Sequence, residues 1–415
     1  MDECLKGLRD GMKGHLAVCA AFLAWGASAE FQRPPQPKDV PELLVSAAGE
    51  RIVTREQWER IRRPEIVKTL LEQEYGVRPI ERPADLAFAE VAAPEDCYGG
   101  KAIRKRIRAT YSGPGGKGEM NFSVWMPRTK RPAPVFIHSS PRPSETADDV
   151  NGPRPAYWLP VDDIISRGFA VVAYCNQEVA ADWQGADVAT SGVFKVFGPQ
   201  DLTKRQPTEW GILSAWTWGM SRVLDWVETE PLLNARRAAA VGLSRNGKTA
   251  LIAGAFDTRF ALTVSCCSGC SGAKLNHMQQ YESESLKAIM VARKWFCPNY
   301  ERYVELDRTP KMPFDQHWLL ALVAPRLLYV SSAMEDAWAG PRGEFAALEL
   351  ASPVWRLYGL PGLIAHGFPK ADTPLQAGNA AYHLRTGQHD ITRYDWQCYM
   401  DFAEGHGWGV SSGCP

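Results

Sequence analysis

The stretch "VGLSRNGKTAL", Val241–Leu251, decides how the rest of the chain is read. Gly242 to Thr249 spells G-x-x-x-x-G-K-[ST], the phosphate-binding loop of nucleotide hydrolases. The same letters set Ser244 between an apolar run, "RAAAVG", and a helix-forming run, "TALIAGAF". That is the sharp strand-to-helix turn on which hydrolytic enzymes mount a serine nucleophile. The two readings demand different company elsewhere. A phosphate loop needs an Asp at a strand end to hold magnesium. No clear candidate closes a strand here, and the loop lies past the midpoint of the chain rather than after a first strand. The serine reading is the stronger.

A nucleophilic serine needs a histidine base oriented by an acid, and on an α/β-hydrolase frame the order is Ser, then Asp or Glu, then His. Downstream, "RLLYVSSAMEDAW" gives a strand followed closely by Glu335 and Asp336. Then "AAYHLRTGQHDITRYDW" gives a last strand, a short turn and His389 at the mouth of a helix. Among eight His, His383 sits within that strand and His406 a full helix beyond it, so His389 alone occupies the turn. Glu335 and Asp336 compete for the acid. Asp336 is favoured because its distance past the strand end matches the usual acid position of this fold.

The surroundings agree. "AIRKRIRATYSG" and "EMNFSVWMP" flank "PGGKG" and read as an antiparallel hairpin. After it, "APVFIH", "GFAVVAYC", "RAAAVG", "FALTVS", "PRLLYVSS" and "NAAYHLR" are short apolar runs separated by helical stretches. Buried strands alternating with helices imply a mostly parallel sheet covered on both faces. One intervening stretch, "EWGILSAWTWGMSRVLDWVE", carries Trp210, Leu213, Trp216, Met220, Val223 and Val227 at helical spacing. Its tryptophans are expected in the core. The class is α/β, an α/β-hydrolase fold with a mostly parallel central sheet flanked by helices and an N-terminal extension.

The chain start carries Lys6, Arg9 and Lys13, then the apolar run "HLAVCAAFLAWG", then Ala27-Ser28-Ala29 before Glu30. This reads as a cleavable signal peptide over residues 1–29, with a run shorter than the roughly 20 residues that span a membrane. A secreted or periplasmic location is expected. Residues 30–98, with the helical stretch "TREQWERIRRPEIVKTLLEQEYG", read as an extension wrapping a catalytic domain over 99–415. Basic and acidic residues balance at 47 each, which disfavours nucleic acid or a membrane surface as partner. Of ten Cys, eight lie beyond the signal segment, an even number that permits disulfides whose pairing cannot be read. Cys267 and Cys270 have no second pair at zinc spacing, so no metal is expected.

With those residues in place, the chain resembles the glucuronoyl esterases of carbohydrate esterase family 15, particularly the bacterial members. The resemblance rests on G-x-S-R-x-G-K, here Gly242, Ser244, Arg245, Gly247 and Lys248. "EWGILSAWTWG", "PFDQHWLLALVAPR", "SAMEDAWAGPRGEF" and "RTGQHDITRYDW" extend it across roughly residues 100–405. It implies cleavage of esters between (4-O-methyl-)glucuronic acid on xylan and lignin alcohols, without a cofactor and in a monomer. Ser244 would be the nucleophile, His389 the base and Arg245 a cation beside the oxyanion. Lys248, Glu284 and Trp338 would contact the sugar. A different carbohydrate esterase on the same triad, such as an acetyl xylan esterase, and a weak carbohydrate-binding relic are the alternatives. The chain departs from the family in one respect: many members carry a catalytic Glu in the turn that here reads "CCSGCSG", with Cys267 in its place. Its "VFIHSSPRPS" also differs from the Asn/Gly-rich loop expected of bacterial members.

Overall fold

The computed structural model describes residues 40–141, 158–182, 191–198, 205–278, 283–290, 294–304 and 311–409. The signal segment expected over residues 1–29 lies outside them. Among the described residues no helix is long and apolar enough to cross a membrane.

Ten strands form one sheet: β1 (Ala87–Glu90), β2 (Glu95–Cys97), β3 (Ala102–Gly113), β4 (Gly116–Pro127), β5 (Ala133–Ser140), β6 (Ala170–Cys175), β7 (Leu233–Leu243), β8 (Leu262–Cys266), β9 (Leu327–Ala333) and β10 (Ala380–Arg385). Their order is β1-β3-β4-β6-β5-β7-β8-β9-β10, with β2 paired to β3. The first four strands pair antiparallel, and from β6 to β10 every pairing is parallel. The hairpin and the six apolar runs thus fall where the sequence puts them. The parallel strands are buried on both faces, which is why they read as continuous apolar runs rather than alternating ones.

Successive residues still part company across the sheet. Val135, Val172, Ala240 and Val330 join the larger core, while Phe136, Val171, Val241 and Tyr329 join the smaller core on the other face. On the larger side, helical turns run over residues 55–75 (α1) and lay Trp58, Ile66, Leu70 and Tyr75 into the core at zero exposure. A capping box opens α1: Gln57 N donates to Thr54 Oγ1, and Thr54 N donates to Gln57 Oε1. Gly76 closes it at φ +82°, where a Cβ would sit 2.5 Å from Trp210 Cα. Helix α2 (Ile212–Val227) is buried at all its positions, packed between the sheet and the next helix, α3 (Arg245–Phe256). A largely apolar helix belongs inside, and its buried Arg222 and Asp225 satisfy each other at 2.6 Å. Trp210 and Trp216 are completely buried, as their spacing implied, and so is Trp218. Helices α4 (Pro341–Ala351) and α5 (Arg393–Gly405) cover the two faces near β9 and β10.

Candidate active site

Ser244, Asp336 and His389 each stand just past the carboxyl end of a parallel strand, where open α/β sheets collect their chemistry. β7 ends at Leu243, and Ser244 turns the chain with φ 60° and ψ −126° before α3 begins at Arg245. This is backbone that glycine prefers, held here by a hydrogen bond from Ser244 N to Cys266 O at 2.8 Å. The flanking glycines are required by close approach. A Cβ on Gly242 would lie 2.0 Å from Asn246 O, and one on Gly247 would lie 2.8 Å from Cys266 O. The elbow is also tied to β5, because Ser139 Oγ donates to Asn246 Oδ1 at 2.6 Å.

Asp336 follows β9 by three residues and His389 follows β10 by four. His389 Nδ1 and Asp336 Oδ2 are 2.5 Å apart, with Asp336 nearly sealed from solvent and His389 partly exposed. Asp336 Oδ1 accepts a further bond from Ala339 N at 3.2 Å, which fixes its orientation. Glu335 is exposed, and its backbone N–H is bonded to Gly387 O at 3.0 Å. The turn carrying His389 is braced from below. Arg385 Nη2 donates to the carbonyls of Gln388 and Asp390 at 2.7 Å each, and Arg385 Nε pairs with buried Asp395 at 2.9 Å. Asp395 in turn holds His383 at 2.9 Å, so His383 is structural. His406 accepts or donates nothing at this site; its Nδ1 bonds Phe402 O at the end of α5.

Ser244, Arg245 and His389 line one cavity of about 380 Å³, together with His138, Trp158 and Asn246. His138 is buried, and burial pushes its imidazole down to about 3, so it is neutral at ordinary pH. Its Nδ1 has no hydrogen-bond partner. Sequence reasoning missed this residue, which lies near the end of β5 in the stretch "VFIHSSPRPS" already noted as unusual.

Lys248, Glu284 and Trp338 form a second group, joined to one another rather than lining that cavity. Lys248 Nζ donates to Glu284 Oε2 at 2.9 Å and to Ser268 O at 2.5 Å, while Glu284 N donates to Trp338 O at 2.7 Å. Lys248 is 2% exposed and Trp338 52% exposed, so the lysine sits inside the group and the indole faces solvent. The link to Ser244 is short, since Lys248 N donates to Ser244 O at 3.0 Å within the first turn of α3. The lysine that would grip phosphate in a nucleotide hydrolase is thus committed to a carboxylate.

Arg245 has company that the sequence does not announce. Its Nη1 pairs with Asp182 Oδ2 at 2.7 Å, and its guanidinium carbon lies 5.6 Å from the centre of the Trp295 ring. Trp295 Nε1 donates to the other Asp182 oxygen at 2.9 Å. One buried carboxylate therefore locks both the cation and the ring beneath it.

Cys267 occupies the turn after β8 at φ 44°, its N donating to Ser331 O at 2.7 Å. The thiol is buried, and its contact with Cys266 together with burial raises it well above its ordinary range. It is protonated at neutral pH. None of the seven described cysteines forms a disulfide. Behind the turn, Glu344 of α4 accepts from Gly269 N, Ser268 Oγ and Ser332 Oγ, and burial pushes its carboxyl up to about 7.

The family model described as "Glucuronyl esterase, fungi" matches residues 114–359. A carbohydrate esterase from an unknown prokaryotic organism is 33% identical over 397 residues, covering 88% of this chain and 89% of that protein. Among solved structures, a glucuronoyl esterase from Solibacter usitatus superposes with a TM-score of 0.80 at 32% identity, over 90% of this chain and 99% of that one. A promiscuous esterase of carbohydrate esterase family 15 from a marine bacterial metagenome does so with a TM-score of 0.80 at 32% identity, over 90% and 98% of the two chains. Profile, sequence and fold agree along most of the chain's length: it belongs to the glucuronoyl esterases, carbohydrate esterase family 15.

Proposed function

We infer that the chain is a serine carboxylic ester hydrolase that cleaves the ester between (4-O-methyl-)D-glucuronic acid of xylan and an alcohol of lignin. The observation that carries the chemistry is the 2.5 Å contact of His389 Nδ1 with Asp336, in a histidine that shares a cavity with Ser244. With Nδ1–H donated to Asp336, Nε2 of His389 is free to take the Ser244 proton as Oγ attacks the ester carbonyl. The tetrahedral oxyanion meets the first backbone N–H of α3 and the Arg245 guanidinium, fixed before reaction by Asp182. The alcohol leaves with the proton from His389. Water activated by the same ring then releases the uronic acid from Ser244. Trp338 and Glu284 offer an aromatic face and a carboxylate to the sugar, and Lys248 holds that carboxylate in place.

The test is release of benzyl alcohol from benzyl glucuronate beside a simple acetate ester. Faster turnover of the acetate would overturn the substrate assignment in favour of a general carbohydrate esterase. That second reading has support of its own, since one relative of the same fold carries the description promiscuous.

The Asp182 clamp gives a more local expectation. Asp182→Asn keeps an acceptor for Trp295 Nε1 but removes the charge holding Arg245. The guanidinium is then no longer preorganised, and kcat should fall by about ten- to a hundredfold, less than the loss of a whole oxyanion donor. KM should change much less. Unchanged kcat with a lowered melting temperature would assign Asp182 a purely structural role.

The protein acts outside the cytoplasm in this reading, which the charged head and apolar run of residues 6–26 support. An exported protein whose first residue is Glu30, read by N-terminal sequencing, is the expected result. Retention of residues 1–29 would overturn it.

A further inference from the structure

Cys267 stands where its relatives' pattern leads one to expect a carboxylate, and the exchange puts a sulfur beside the histidine and its acid. Its Sγ, a carboxylate oxygen of Asp336 and a ring nitrogen of His389 all lie within 4.8 Å of one another. We propose that these three side chains form a binding site for a soft divalent cation of the zinc class, which inhibits the esterase reversibly.

The donor set selects the ion. Thiolate, imidazole and carboxylate together suit zinc, whereas magnesium and calcium take oxygen ligands. Three protein ligands leave a fourth position for water or a solute, the arrangement of an open zinc site. Zinc holds such atoms at roughly 2.0–2.3 Å, so tetrahedral ligand pairs stand about 3.4–3.7 Å apart. The His389–Asp336 contact must therefore open from 2.5 Å while the sulfur closes in. His389 makes most of that movement. Its side chain is 39% exposed, whereas Asp336 is 3% exposed and Cys267 is sealed in its turn. The cation enters from the histidine side, through the same opening that serves the substrate cavity.

Charge favours the site as well. Among the described residues Asp336 has no guanidinium or ammonium as a hydrogen-bond partner; its partners are a backbone N–H and the imidazole. Glu344 lies behind the same turn, with Ser268 Oγ and Gly269 N on its carboxylate. A divalent cation would thus meet the Asp336 carboxylate without displacing a guanidinium or ammonium hydrogen-bonded to it.

Because Asp336 faces Nδ1, a cation shared with it takes Nδ1 and displaces the proton there. The thiol proton is released to solvent in the same step, and no electron is transferred. The ring's single proton moves through solvent from Nδ1 to Nε2, the nitrogen that faces the nucleophile. An Nε2–H cannot accept the Ser244 proton, so coordination stops the reaction without blocking the cavity. A carboxylate in place of Cys267 would supply no soft ligand, so the sensitivity is a property of this chain and not of its expected pattern.

The inhibition, though not the binding, rests on His389 acting as the base, and the experiment separates the two. Zinc is titrated against ester hydrolysis by the full chain and by Cys267→Ser and Cys267→Ala, each scaled to its own metal-free rate and each reversed with a chelator. Cobalt(II) is added separately to Ser244→Ala, whose substitution touches none of the three ligands, and to Ser244→Ala combined with Cys267→Ser. The expected result is reversible zinc inhibition whose constant rises by at least about tenfold when the sulfur is removed. A thiolate-to-cobalt charge-transfer absorption should appear in Ser244→Ala and vanish in the double variant. Inhibition undiminished without the sulfur, or no charge-transfer absorption, overturns the site. Absorption with no loss of rate supports the site and overturns the role of His389 instead.

Discussion

Ser244→Ala should lower the hydrolysis of a glucuronate ester by on the order of 10⁴- to 10⁶-fold, with KM little changed. His389→Ala should cost a similar amount, and the double variant scarcely more than either, because attack and proton transfer are one event. Neither substitution removes a packing contact of consequence: Ser244 makes no side-chain hydrogen bond as the residue before α3, and His389 is partly exposed. A fold collapse is therefore not expected to mimic the effect. His406→Ala provides the control, since its ring is bonded to Phe402 O at the end of α5. If Ser244→Ala kept more than a few per cent of activity while folding normally, the esterase chemistry would have to lie elsewhere.

Asp336→Asn comes next in size, with an expected loss of about 10³- to 10⁴-fold in kcat. The substitution preserves shape but presents an amide N–H₂ or a weaker acceptor to Nδ1, so the ring is no longer held with its proton on that side. Glu335→Gln, one residue earlier, should stay close to the parent rate, since Glu335 is exposed and contributes only its backbone N–H, bonded to Gly387 O at 3.0 Å. Measured side by side with the same ester, the two variants locate the acid. A reversal of their order would place it at Glu335.

The placement of Asp336, His389 and the Ser244 turn was legible because each is a local event. A serine between an apolar strand and a helix, flanked by glycines where Cβ atoms would strike backbone, has few other readings. Asp336 and His389 were found by counting from the ends of β9 and β10, which are apolar enough to be recognised. The strands β1 and β2 were not. "AFAE" and "EDC" are mostly exposed and owe their form to pairing with β3, which no local pattern reports. The same limit hid Asp182, which meets Arg245 across 63 positions and Trp295 across 113. It hid His138 and Glu344 for the same reason: a polar residue in a buried strand or helix has no periodicity that points to its partner. Lys248 was named for its place in a motif, and its burial beside Glu284 appears only when the turn after β8 is folded over it.

The dihedral angles at Ser244 mean that the protein carries its reactive oxygen at the expense of its own folding. A side chain held in that region costs on the order of 1–3 kcal/mol, whereas glycine there costs only its extra freedom in the unfolded chain, about 0.5–1 kcal/mol. Ser244→Gly should therefore be inactive and yet more resistant to denaturant than the parent by about 1 kcal/mol. Selection for robustness alone would have erased the serine. Its presence on that turn is a record of what the molecule has been kept for.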